Sequence, residues 1–130
     1  MALLPSPPPP DIALLAATWT ARALLRAQLI EEGFDVAATD TWPMLRSYLR
    51  SEVTPRLVIV DLQGLDDPAG VLRDLRGLVA PSRVLIVTAL ATVAAPAIEQ
   101  LGFAIVKRPI PMDSIVRTAR TIIRSASTGD

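Results

Sequence analysis

The chain has 130 residues, 13 of them basic and 13 acidic, and contains no cysteine and no histidine. That length supports one domain whose core folds without staples, and the missing residue types exclude disulfides, thiol chemistry, the usual zinc sites and Ser-His-Asp or Cys-His catalysis. Zero net charge offers no field for nucleic acid or an anionic membrane, and no apolar run reaches the roughly 20 residues of a membrane helix, so a soluble, cytoplasmic protein is expected.

Residues 1–10, MALLPSPPPP, lack a basic n-region, and proline cuts their apolar run short, so they read as a stiff leader and not as a signal peptide. Asp11 to Leu15 is too short for a helix and is expected as the first strand. From Thr20 to Glu32 helical spacing puts Ala21, Leu24, Leu25, Gln28 and Leu29 on the buried side, with Arg22 and Arg26 opposite. Gly33 ends this helix as a left-handed cap, with Phe34 folding back on the last turn. Asp35 to Thr39 is a weaker strand. Thr41-Trp42-Pro43 starts a second helix with proline in its first turn, and Leu45, Tyr48 and Leu49 mark its buried side.

Pro55 precedes the most apolar strand, Arg56 to Leu62, whose hydrophobic character on both faces suits the centre of a parallel sheet and which carries one carboxylate, Asp61. Asp67-Pro68 is an N-cap followed by proline at the first helical position, and Val71, Leu72, Leu75 and Leu78 form the stripe of the third helix, which Pro81 breaks. Arg83 to Val87 is the fourth strand and delivers Thr88 to its end. Pro96 cannot lie deep in a regular helix, so the fourth helix is expected to be short, starting near Ala95. Leu101-Gly102-Phe103 repeats the earlier stop signal. Phe103 to Lys107 is the fifth strand, and Met112 to Ser125 the last helix, with Ile115, Val116, Ala119, Ile122 and Ile123 inward and Arg117, Arg120 and Arg124 on a solvated outer stripe. A polar tail, 126–130, follows. Trp19 is expected to pack, with capping the neighbouring pocket or exposing a docking surface as the alternatives.

Five strand-helix alternations with short connections predict a doubly wound (βα)5 fold, a five-stranded parallel sheet covered on both faces in three α/β/α layers. Its working site lies outside the carboxyl ends of the strands, where Ala16, Ala17, Asp61, Thr88 and Arg108 converge.

With Asp61 ending the third strand in PRLVIVDLQGLD, Thr88 ending the fourth in VLIVTAL, and Arg108-Pro109 after the fifth, the chain from about Asp11 to Ser125 resembles the CheY-like receiver domain of bacterial two-component response regulators. The resemblance implies the flavodoxin-like fold and makes Asp61 the phosphoacceptor position, with Thr88 and Arg108 as the switch and phosphate-contact positions. Receivers carry an acidic pair after the first strand; here Ala16 and Ala17 stand there, so the magnesium that such carboxylates hold loses its ligands, and no metal or other cofactor is expected. Arg108 replaces the usual Lys, and Ile105 the usual aromatic switch residue. Asp66 and Asp67 are weighed as substitute ligands and read as a solvated carboxylate and an N-cap.

The expected function is therefore that of a degenerate receiver, or pseudo-receiver, which is no enzyme and has no catalytic residues. It works by contact with a protein, a histidine kinase or a downstream target. The fourth helix, fifth strand and fifth helix form the expected contact face, also for a homodimer, through Ile105, Arg117, Arg120 and Arg124. The alternative is a conventional phosphorelay receiver phosphorylated on Asp61 with magnesium. An enzyme or nucleotide binder on this topology lacks its glycine-rich turn, and no helix-turn-helix follows the last helix to read DNA. The bias to arginine and alanine points to a GC-rich bacterial genome.

Overall fold

The computed structural model describes residues 10–51, 54–88, 95–107 and 112–128. Strands and helices alternate as predicted: β1 (Ile12–Leu15), α1 (Trp19–Glu31), β2 (Val36–Thr39), α2 (Trp42–Leu49), β3 (Leu57–Asp61), α3 (Pro68–Leu78), β4 (Val84–Thr88), α4 (Ala95–Gln100), β5 (Ala104–Lys107) and α5 (Met112–Thr128). All neighbouring strands are parallel, and the sheet order is β2-β1-β3-β4-β5, the flavodoxin-like order with its switch point between β1 and β3. Among the described residues no helix is long and apolar enough to cross a membrane.

Period-two alternation sorts the strand side chains into two cores. Ile12, Leu14, Leu57, Ile59, Leu85 and Val87 face α1 and α5, where they meet Leu25, Leu29, Ile115 and Ala119. Ala13, Leu15, Val58, Val60, Val84 and Ile86 face the other way, onto Leu45, Val71, Leu72, Leu75 and Ile98 of α2, α3 and α4. The central strands β1, β3 and β4 are buried throughout, which is why they read as unbroken apolar runs.

The local signals place the element ends. The Gly33 N–H donates to the Ile30 carbonyl at 2.9 Å and the Phe34 N–H to that of Leu29 at 3.1 Å, a Schellman motif with Gly33 at φ 96°. Thr41 caps α2 by accepting from the Met44 N–H, and Asp67 caps α3 by accepting from the Gly70 N–H at 3.1 Å. The described part of helix α4 runs Ala95–Gln100, and residues 89–94 before it lie outside the described residues.

Three expectations need correction. Leu24 is 57% exposed, because Leu25 and Leu29 set the buried side of α1 and a residue 100° round the helix from Leu25 turns outward. Leu78, in the last turn of α3, is also exposed. Helix α5 continues past Ser125 to Thr128, into the segment expected as a tail. Residues 1–9 of the leader and Arg108 lie outside the described residues.

Candidate functional site

Sheet register brings the chemistry-bearing positions together. Leu14 pairs with Ile59 and Leu15 with Val60, so Ala16 occupies the rung beside Asp61 and shares its face of the sheet. Ala16 is completely buried, and its N–H donates to the Thr39 carbonyl at 3.1 Å, extending the ladder toward β2. Asp61 is 1% exposed; its Oδ1 accepts from the Gln63 N–H at 3.0 Å, which turns the chain immediately after β3. Gly64 continues that turn at φ 81°, and a Cβ added there would stand 3.3 Å from the Ala17 Cβ. The loop after β3 therefore lies against the turn after β1. Thr88 is buried at the end of β4, one residue beyond Val87, the register partner of Asp61.

A cation is built into this end of the sheet that the sequence reading placed on the opposite face. Arg22 Nη1 donates to the Ala16 carbonyl at 2.9 Å from a partly buried position. The signal was present in the spacing: Arg22 is three residues before Leu25 and seven before Leu29, which puts it on the buried side of α1. Trp19 is corrected the other way. At 72% exposure it covers nothing and projects from the first turn of α1.

A cleft of about 450 Å³ opens between the ends of β1, β2 and β3. Ala17, Trp42 and Leu65 form apolar wall, and Asp40, Asp66 and Asp67 supply the charge on its lining. Asp40 was not singled out in the sequence. Its only signal is its place one residue after β2, at the same end of the sheet as Asp61.

No family model matches the chain, and no curated protein does. Solved structures do match. The chain superposes on NtrX from Brucella abortus with a TM-score of 0.76 at 18% identity, over 92% of this chain and 28% of that one. It matches the signal receiver domain of a Luxo repressor protein from Vibrio parahaemolyticus with a TM-score of 0.75 at 22% identity, over 92% and 93% of the two chains. Full-length FixJ from B. japonicum gives 0.78 at 22%, over 94% of this chain and 61% of that one. The chain has the fold of a response-regulator receiver domain. It spans less than two thirds of NtrX and of FixJ, and nearly all of the Luxo receiver.

The strand-end positions expected to form the site, Ala16 beside Asp61 and Thr88 on the next strand, lie at one end of this sheet. The donor set does not suit magnesium, which takes oxygen ligands in a near-octahedral shell and needs carboxylates converging from more than one loop. The side chains flanking Asp61 from β1 end in methyl groups. Among the described residues no three His, Cys, Asp or Glu side chains are arranged so that they could hold a metal ion. Asp66 is exposed, and Asp67 is committed to capping α3.

The receiver's α4-β5-α5 face is described in part. Ile105 is half-buried and packs into the core beneath α2, α3 and α4, and Lys107 is exposed at the end of β5. Arg117 pairs with Asp113 at 3.1 Å one turn away, with both side chains exposed. Arg120 leaves the expected solvated stripe: Nη2 reaches Glu32 Oε2 at 2.7 Å and ties α5 to the end of α1. Arg124 is exposed near the end of α5.

Proposed function

We propose that the chain is an atypical receiver that signals by protein-protein contact and does without magnesium-dependent phosphorylation of Asp61. The observation that carries this reading is the pair Ala16 and Ala17 beside a buried Asp61. Phosphoryl transfer depends on positioning and on neutralising charge between an anionic nucleophile and an anionic donor, and a magnesium ion supplies most of that neutralisation. Arg22, spent on a backbone carbonyl, fixes the turn after β1 but brings no second anionic ligand for a metal.

On this reading the protein is a bacterial, cytoplasmic signalling module and not an enzyme. Its partner is a protein, a histidine kinase or a downstream target, bound at the face formed by α4, β5 and α5, which also serves for pairing with a second copy. Arg117 and Arg124 are exposed on the α5 part of that face. Arg108, at the Lys position, belongs to the same reading as the phosphate-contact residue.

A second reading, a conventional receiver phosphorylated on Asp61, is favoured by the retained places of Asp61 and Thr88 at neighbouring strand ends. Incubation with Mg²⁺ and acetyl phosphate followed by intact mass separates the two. Unchanged mass is expected. A phosphoryl adduct that disappears in Asp61→Asn would overturn the reading.

A further inference from the structure

We propose that the cleft between the ends of β1, β2 and β3 takes an arginine side chain of a partner polypeptide. The proposal deepens the protein-contact reading and rests on it for the existence of such a partner. At about 450 Å³ the cleft lies within the roughly 300–1,000 Å³ range of sites that enclose a small group. Most of its wall is apolar, and the charged residues on it, Asp40, Asp66 and Asp67, all carry the same sign.

Asp67 spends one oxygen on the Gly70 N–H. Among the described residues no ion pair or hydrogen bond engages the Asp40 and Asp66 carboxylates. An anion is repelled by this lining, and a neutral apolar group leaves the carboxylates unanswered.

Guanidinium answers both features. Its planar fork pairs with carboxylates through parallel hydrogen bonds, its face stacks on an indole such as that of Trp42, and its weak hydration lets the stem lie against Ala17 and Leu65. A compact ammonium uses the carboxylates and wastes the indole face.

A polypeptide source follows from the rim. Trp19, two residues beyond the lining Ala17, is 72% exposed, and Met44, next to the lining Pro43, is 51% exposed. Large apolar side chains left in water beside a charged cleft give flanking residues of a bound segment something to cover.

The test uses the full chain carrying Trp19→Phe, which leaves Trp42 as the single tryptophan reporter. The probe is acetyl-Leu-Arg-Leu-amide, its control the same peptide with citrulline for arginine, and a third arm uses free arginine amide. The expected result is a saturable change in Trp42 emission with a Kd of about 0.1–1 mM. Affinity is expected to fall about tenfold with citrulline and about tenfold in the Asp40→Asn/Asp66→Asn double variant, whose two sites are exposed and whose folding is checked by urea titration. No saturable change, equal binding of the citrulline peptide, or full affinity in a folded double variant each overturns the proposal. Arginine amide binding as tightly as the tripeptide overturns the polypeptide source. Phosphorylation of Asp61 would remove the functional reading and leave this titration as it is, so the two failures are distinguishable.

Discussion

Returning a carboxylate to the end of β1 tests how the site is balanced. Ala16→Asp puts a second acid on the rung beside Asp61, on the same face and fully buried. Neighbouring strands run about 4.8 Å apart, so the two carboxylates stand roughly 5 Å from each other. At an effective dielectric near 20, two unit charges at that distance repel by about 3 kcal/mol. That is a large part of the total stability of a small domain. The new group escapes the cost by binding a proton, so its folded pKa lies above its unfolded value. The variant is therefore destabilised at neutral pH, and the gap to the parent closes as pH falls toward the unfolded carboxylate range near 4. Urea titrations of parent and variant between about pH 4 and 7.5 in metal-free buffer measure it. Added Mg²⁺ at about ten times its Kd is expected to recover about 1.4 kcal/mol in the variant and to leave the parent unchanged. A variant as stable as the parent at neutral pH without metal would show that the placement of Ala16 against Asp61 is wrong.

Arg22→Ala removes the charge-assisted bond to the Ala16 carbonyl and is expected to cost about 1–2 kcal/mol, the lower part of the range for such bonds because Arg22 is only partly buried. A urea midpoint equal to that of the parent refutes it. Tyr48, the single tyrosine, has its pKa raised above 10.0 by burial against α2's own core contacts. The unfolded chain loses the phenol proton first, so stability falls as pH rises from about 10 through the folded pKa. Absorbance at tyrosinate wavelengths is expected to titrate later in folded than in urea-unfolded protein, and coincident curves refute the burial argument.

What the sequence could carry was whatever lies within one turn or one strand. Gly33-Phe34, Asp67-Pro68 and Thr41 each act on neighbours a few residues away, and each placed an element end where the structure has it. Unbroken apolar runs marked the central strands, and from them the strand ends Ala16, Asp61 and Thr88 could be expected to meet. Leu24 and Arg22 were placed on the wrong sides of α1 because apolar character was counted ahead of helix phase. The Arg120–Glu32 pair joins residues 88 apart in the chain, and the Asp40 cleft needs three separate loops to converge. Those are properties of packing, and no local pattern contains them.

The approach of Gly64 to Ala17 makes the two turns at this end of the sheet depend on each other. Position 64 holds a left-handed backbone, and a Cβ there would crowd the Ala17 Cβ at 3.3 Å, so the loop after β3 is closely fitted to the turn after β1. Positions in such close contact are coupled, and the effect of changing one depends on the other.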